Sequence, residues 1–218
     1  MHGHEEVVRL LLARGKVDID IYEDDIWSPL AWAARHGFES IVRLVLDMGQ
    51  MDINSKDKDG STSLAMAIQY GYKEIVRLLL ATGEVDINTK DKDGWTPLAF
   101  AAGNGYEDIV QLLVDTGKVD VNTKDNLGWT PLAVAAYNGY ERVVGLLLDT
   151  RKVDITSKDS TYGQIDLNEV NSYGYTTIQL AHFNNHEDVE SLLVEWGFCI
   201  PDDFYGLENL FPSVENLS

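Results

Sequence analysis

The residue types that most often carry out chemistry in proteins are few in this sequence, and their spacing is poor. His182 and His186 stand four residues apart, which on a helix would suit a metal ion. Asn184 and Asn185 lie between them where a helix is expected to end, so a metal site is not predicted. Cys199, the single cysteine, has no general base near it in the sequence and is interpreted as a structural thiol. No nucleophile elbow, phosphate-binding loop or zinc signature occurs, so we predict no catalytic residues and no cofactor.

Two acidic turns also have the residue types of a cation site. Asp57-Lys58-Asp59 and Asp91-Lys92-Asp93 each precede a glycine. A calcium loop needs a denser set of oxygen ligands than these segments offer. Aspartate is favoured in turns because its side chain bonds to the backbone two residues further on. We therefore interpret both segments as turns.

The second of these turns opens a motif that repeats. In Gly94-Trp95-Thr96-Pro97-Leu98, the glycine accepts a positive φ, the threonine can cap a helix, and the proline suits its first position. The position of Pro97 recurs with steps of 34, 34, 34 and 46 residues, at Pro29, Ser63, Pro97, Pro131 and Thr177. A fixed period in this range is typical of stacked repeats rather than of one globular core.

Each unit is predicted to hold two helices. In one unit, Thr96 to Gly103 forms the first helix and Glu107 to Asp115 the second, with a corner at Asn104-Gly105. The second helix is so apolar that only stacking against neighbouring units can bury it. Gly145 lies inside the corresponding helix of the next unit, where a glycine costs about 1 kcal/mol relative to alanine. That helix is expected to be weaker.

These motifs resemble the ankyrin repeat, and the resemblance covers residues 1 to about 200. It is most specific from Asp91 to Leu148. It implies an all-α ankyrin-repeat solenoid of stacked helix pairs joined by β-hairpin loops. The 34-residue period is similar to that of fungal ankyrin-repeat proteins. The histidine that follows T-P-L in the family is absent, so its network between units is not expected; the position holds Ala31, Ala65, Ala99, Ala133 and Gln179.

The units follow one another from a half repeat at 1–19 through repeats at about 20–53, 54–87, 88–121, 122–155 and 168–200. The chain starts in mid-unit, either because a longer protein has been cut or because the half repeat is an imperfect cap. It could leave apolar surface for self-association or for a partner. An insertion at about 156–167 explains the step of 46 and is either a binding loop or neutral. The acidic, aromatic tail 201–218 is predicted to cap the last repeat; the alternative is that it occupies a partner groove.

Charge and cysteine usage limit the partners and the compartment. The formal net charge is −19, and residues 159–218 contain no Lys or Arg. Such a surface repels phosphates, so we expect neither nucleic acid nor membrane as a partner. One cysteine cannot form an internal disulfide, which favours the cytoplasm, or the nucleus, over secretion.

The resemblance also indicates where a ligand would bind, because hairpin tips and first helices vary among ankyrin repeats to suit the partner. Carried over position by position, the candidate binding residues are Trp27, Trp32, His36, Tyr70, Trp95, Phe100, Trp129, Tyr137, Tyr175 and Phe183. Exposed aromatic residues in a row are typical of interfaces. Alternatively, the tryptophan column packs on itself as a structural ladder, and Trp32 and Phe100 belong to the core.

The leading hypothesis is a non-enzymatic protein-interaction module that binds a partner with basic or extended segments through its concave face and hairpin tips. The alternative is a small-molecule-binding protein or a cyclase- or isomerase-like enzyme with an aromatic pocket for a small apolar ligand. In that case His36, Tyr70 and Tyr137 would supply an acid–base group. A third possibility is a purely scaffolding part of a longer chain.

Overall fold

The structure, a computed structural model, describes residues 28–49, 51–150 and 170–198. The half repeat 1–19, Trp27, the insertion 156–167, Cys199 and the tail 201–218 lie outside the described residues. Within them, ten helices follow one another as five consecutive pairs. They are α1 (Pro29–Arg35), α2 (Glu39–Met48), α3 (Ser63–Gln69), α4 (Lys73–Ala81), α5 (Pro97–Gly103), α6 (Glu107–Asp115), α7 (Pro131–Tyr137), α8 (Glu141–Asp149), α9 (Thr177–Phe183) and α10 (Glu187–Glu195).

The first helix of every pair has seven residues and begins at a hydroxyl cap. In α5 the Oγ1 atom of Thr96 accepts a hydrogen bond from the N–H of Ala99 at 3.2 Å, which satisfies one of the free donors of the first turn. In α9 the cap is reciprocal, because the Gln179 side chain also accepts the N–H of Thr176. Thr96 is thus the cap of α5 rather than its first residue.

The second helices bury an apolar stripe. In α6, Ile109, Val110 and Leu113 are buried, whereas Glu107 and Asp108 at its start are exposed. Acidic residues at this end also complement the helix dipole. The predicted bounds of this helix, Glu107 to Asp115, agree with the observed ones.

The pairs stack in two rows. Each first helix packs against the first helices of the neighbouring units, and each second helix packs against neighbouring second helices. The buried residues form one continuous cluster that runs through all five units. Fully buried alanines such as Ala101 and Ala135 allow the first helices to approach closely. The all-α solenoid is therefore confirmed.

An aromatic ring covers the corner glycine of the preceding unit. Tyr140, directly before α8, lies over Gly105, so that a Cβ added at Gly105 would come within 2.7 Å of the ring. The same arrangement joins Tyr72 to Gly37 and His186 to Gly139. These glycines have positive φ angles as well. Two separate features therefore require glycine at these corners, the positive φ and the aromatic ring of the next unit.

The segments between units are turns, and the predicted β-hairpins are not confirmed. Only isolated antiparallel bridges occur in the described residues, between Lys56 and Thr62 and between Val170 and Thr176. A backbone bond closes each turn, as from the N–H of Asp91 to the carbonyl of Trp95 at 3.0 Å, and a further bond joins it to the adjacent turn. The N–H of Lys92 donates to the carbonyl of Asp59 at 2.9 Å, which joins one turn to the next.

Asparagine side chains tie the loops that follow the second helices. Asn54 donates from Nδ2 to the carbonyl of Glu84 and accepts the N–H of Asp86 at 2.7 Å. Asn88 repeats both bonds with the carbonyl of Lys118 and the N–H of Asp120. These contacts join adjacent units without the histidine network that the sequence lacks.

The fifth pair continues the stack after the longer connection. α9 packs against α7, and α10 against α8. The N–H of Ser172 donates to the carbonyl of Leu127 at 2.8 Å, which is the counterpart of the Lys92–Asp59 bond. None of the helices in the described part of the chain is both long and apolar enough to cross a bilayer.

Candidate functional site

Two grooves lie side by side along the turns and the first helices, and Trp95 lines both of them. The first, which we call the acidic groove, has a volume of about 550 Å³ and is lined mainly by Arg35, Asp57, Asp59, Asp91, Asp93, Trp95 and Phe100. The second, which we call the apolar groove, has a volume of about 200 Å³ and is lined by Trp95, Leu127, Trp129, Val134, Tyr137 and Tyr173, together with Asp125 and Asn138. Trp95 forms the ridge between them.

The acidic groove carries a strong excess of negative charge, since four aspartates face a single arginine in its lining. Burial raises the pKa of the Asp91 carboxyl, although the backbone N–H groups of Trp95 and Asp93 oppose this by bonding to its charged form. Asp59 and Asp93 are exposed. The groove therefore suits a cation that can approach from solvent.

Arg35 is held against the wall of the acidic groove. Its guanidinium lies 4.9 Å from the centre of the Tyr70 ring, a cation–π contact, and its Nη1 atom is 4.0 Å from the sulfur of Met66. These contacts hold the arginine against Met66 of α3 and against Tyr70, the residue that ends that helix. The Asp59 carboxylate of the groove lies 3.7 Å from Nζ of Lys92, but this ion pair is exposed, so an incoming cation can compete with it.

Trp95 is half-buried and is supported from below. Its ring lies 5.2 Å from that of Phe100, which itself packs on the core. Gly103, at the end of the same helix, leaves room for the indole, because a Cβ at this position would be 3.2 Å from Cζ3 of Trp95. The ring is therefore positioned before any ligand arrives.

The apolar groove is built from the next unit in the same way. Trp129 meets the edge of Tyr137 at 5.2 Å. Two further apolar side chains form its outer rim, Leu127 with 46% and Tyr173 with 44% of its surface exposed. Large apolar groups are costly to leave in water, so this rim is a candidate contact surface.

Leu127 and Tyr173 are the residues that the sequence analysis missed. Both stand directly before a turn glycine, where the earlier units have Asp59 and Asp93. We call these four residues the tip row. The sequence does contain a signal for them, namely the change from acidic to apolar residues at one repeat position. The ankyrin resemblance points instead to the residue that follows the glycine.

The remaining predicted residues that the structure describes line neither groove. Trp32 is 44% exposed and contacts His36, with ring centres 4.5 Å apart. It is therefore a surface residue and not part of the core. Tyr175 and Phe183 form an edge contact at 5.3 Å in the fifth unit. Trp27 lies outside the described residues.

The ring contacts bear on whether the tryptophan column is a structural ladder. Trp95, Trp129 and Tyr175 each contact an aromatic ring of their own unit. These contacts orient the rings, yet Trp95 and Trp129 still line open space. Support from within a unit and exposure to a ligand are thus compatible.

The groups proposed for acid–base chemistry are not brought together in either groove. Tyr137 lines the apolar groove, whereas His36 and Tyr70 line neither. His36 places Nδ1 2.8 Å from the carbonyl of Trp32, at the end of its own helix. The histidines considered for a metal also have other neighbours, since Nδ1 of His182 lies 3.1 Å from Glu190 and Nε2 of His186 lies 2.9 Å from the carbonyl of Tyr137.

Comparison with known proteins agrees with the architecture. A family model described as ankyrin repeats, in three copies, matches residues 1–91 and 83–159. No curated protein matches the chain. The helix pair α9 and α10 lies beyond the matched residues but stacks on the preceding unit like the others. The chain therefore belongs to the ankyrin repeat family, whose repeats generally serve as protein–protein interaction modules.

Proposed function

We propose that the chain is a non-enzymatic protein-binding module whose partner lies in the two grooves on either side of Trp95. The observation that carries this proposal is the pair of half-buried tryptophans, Trp95 and Trp129, each oriented by a ring of its own unit while lining open space. Preoriented tryptophan and tyrosine rings are common anchors of interfaces, because they bury much area at little cost in conformational entropy.

The partner is proposed to present a basic, extended segment. The formal net charge of −19 attracts basic ligands from a distance and repels nucleic acid and anionic membranes. The four aspartates of the acidic groove would also attract a basic side chain at short range. We place the interaction in the cytoplasm or nucleus, in keeping with the single cysteine.

A small-molecule or enzymatic function has weaker support. The apolar groove, at about 200 Å³, is smaller than the roughly 300–1,000 Å³ usual for ligand sites. The acidic groove is large enough, at about 550 Å³, but its lining is dominated by carboxylates. An apolar metabolite would remove water from these charged groups without offering hydrogen bonds in return.

The proposal can be tested with linear peptides selected from a displayed random library on the full chain. Replacing Trp95 and Trp129 together by alanine should weaken binding of the selected peptides by roughly thirtyfold or more, as expected when hot-spot anchors are lost. Circular dichroism and thermal melting would verify that the variant folds. Fluorescence anisotropy of the labelled peptides gives the affinities.

A matched control is Val194→Ala, which truncates a side chain that is 54% exposed on α10, away from both grooves. This variant should bind the peptides like the natural chain. Unchanged binding by the double tryptophan variant would show that the column is structural. Failure of the natural chain to select any peptide would argue against a linear protein segment as the ligand.

A further inference from the structure

The tip row changes its chemistry along the stack. Asp59 and Asp93 stand before the turn glycines of two successive units, and both line the acidic groove. Leu127 and Tyr173 take the same position in the next two units and line the apolar groove. One repeat position thus supplies charge at one end of the site and apolar surface at the other.

The turns themselves do not require these side chains. In each turn a carboxyl or amide oxygen three residues before the glycine accepts the backbone N–H of the tip residue. The bonds are Asp59 to Asp57 at 2.9 Å, Asp93 to Asp91 at 3.0 Å, Leu127 to Asp125 at 2.8 Å and Tyr173 to Asn171 at 3.0 Å. The tip residue contributes its N–H group to the turn, and its side chain points elsewhere. The Asp59 carboxylate also lies 3.7 Å from Nζ of Lys92 in the next turn, but an exposed ion pair of this kind contributes little to stability. The turn therefore does not fix the identity of the tip residue.

The lining of each groove matches its tip residues. Asp59 and Asp93 are joined in the acidic groove by Asp57 and Asp91, with Phe100 and Trp95 as its aromatic side. In the apolar groove, Leu127 and Tyr173 face Trp129 and Tyr137. A cation is attracted both by the carboxylates and by the face of an indole, whereas an aliphatic or aromatic group is accepted best by the second groove.

We propose that the two grooves bind an extended peptide in one direction, with an arginine or lysine in the acidic groove and an apolar side chain in the apolar groove. This inference rests on the proposed protein-binding function and adds the order of the partner's side chains. Neighbouring helices lie about 10 Å apart and an extended chain advances about 3.3 Å per residue, so the two anchors are about three residues apart.

The order can be tested by repeating the peptide selection on two tip variants of the full chain. The first is Asp59→Lys with Asp93→Lys, which leaves the turn-forming Asp57 and Asp91 in place. The second is Leu127→Asp with Tyr173→Asp. Circular dichroism and melting curves would establish that both variants retain the natural fold before selection.

The natural chain should enrich peptides with a basic and an apolar residue at a fixed separation. The lysine variant should lose the basic preference, with at least tenfold weaker binding of the original peptides, and keep the apolar one. The aspartate variant should replace the apolar preference by a basic one. Two results would overturn the proposed order of side chains. One is that the selected peptides need Trp95 and Trp129 but lack the two-part pattern, and the other is that the basic preference survives in the lysine variant. Either result would leave the protein-binding function intact. Selection of no peptide by the natural chain would overturn both.

Discussion

Ser63 occupies the first position of α3, where the neighbouring units carry Pro29 and Pro97. Its side chain is completely buried, and its hydroxyl has no hydrogen-bond partner among the described residues. The preceding residue, Thr62, has the extended backbone (ψ 168°) that a following proline requires. The site is thus already shaped for proline.

We therefore expect Ser63→Pro to raise the free energy of unfolding by about 1 kcal/mol, because it restricts the unfolded chain and removes an unsatisfied buried hydroxyl. Urea unfolding followed by circular dichroism measures the change. Ser63→Ala removes the hydroxyl alone and separates the two contributions. A loss of stability in the proline variant would mean that the backbone at this position is not free to adopt the ring's geometry.

Gly145 offers a second stabilising change at the scale of one residue. It lies inside α8, and a Cβ built there would meet only Leu192 Cδ2, at 4.0 Å. Gly145→Ala should therefore raise the free energy of unfolding by about 0.5–1 kcal/mol, through the higher helix propensity of alanine. Gly103→Ala in α5 is the comparison, since its Cβ would lie 3.0 Å from Val134 Cγ1 and 3.2 Å from Trp95. The Gly103→Ala variant should gain less stability than Gly145→Ala, or lose stability. Equal gains in the two variants would show that the Trp95 indole moves aside at little cost.

At the scale of the helix pair, the aromatic ring that covers a corner glycine contributes to stability separately from the backbone conformation of that glycine. Gly105 and Gly117 both have positive φ angles, 69° and 68°. A Cβ at Gly105 would press on the Tyr140 ring, whereas a Cβ at Gly117 would meet nothing within 4 Å. The two glycines thus share the same left-handed backbone conformation and differ in their neighbours.

Gly105→Ala and Gly117→Ala should each lower the free energy of unfolding by about 1 kcal/mol, because alanine is strained at a positive φ. Gly105→Ala should lose about 1–3 kcal/mol more, the usual cost of overpacking. Denaturant unfolding of the two variants and of the natural chain measures both terms. Equal losses would show that the tyrosine ring moves aside and does not fix the corner.

The helix pairs could be predicted from the sequence because their signals are local. Thr96, Pro97 and the apolar stripe of α6 act within a single unit, so period and capping residues suffice to place them. The predicted hairpin loops stay unconfirmed, because the turns also bond to one another, as in the bond from the N–H of Lys92 to the carbonyl of Asp59. Period and capping residues do not specify such contacts between units.

The candidate site was predictable in part for the same reason. The repeat register places Trp95 and Trp129 at equivalent positions, and both line the grooves. The direction of a side chain, however, depends on the stacked neighbours. Leu127 and Tyr173 reach the apolar groove from adjacent turns, and a Cβ at Gly103 would lie 3.0 Å from Val134 of the next unit. Such relations are absent from any single unit.

For the molecule as a whole, the net charge of −19 opposes the compact state. The ion pairs between side chains are mostly exposed, as in Lys73–Asp108 and Arg142–Glu107, and contribute little. Raising the sodium chloride concentration from about 0.01 M to 0.15 M shortens the Debye length from about 30 Å to about 8 Å and screens the repulsion. The melting temperature should therefore rise.

Differential scanning calorimetry measures this change, and choline chloride at the same ionic strength distinguishes screening from a specific sodium effect. The same increase in salt should weaken the binding of a basic peptide more than that of a neutral one. A melting temperature that falls with salt would mean that attractive ion pairs outweigh the repulsion.

The junction between the fourth and fifth units has a further consequence for how such a chain can change. From Pro131 to Thr177 the step is 46 residues, yet α9 packs on α7 and Ser172 bonds to Leu127 as in the shorter steps. The number of units in the stack and the length of the polypeptide are therefore independent quantities at this point. Repeat stacking at this junction thus constrains where the helices lie, and not how many residues connect them.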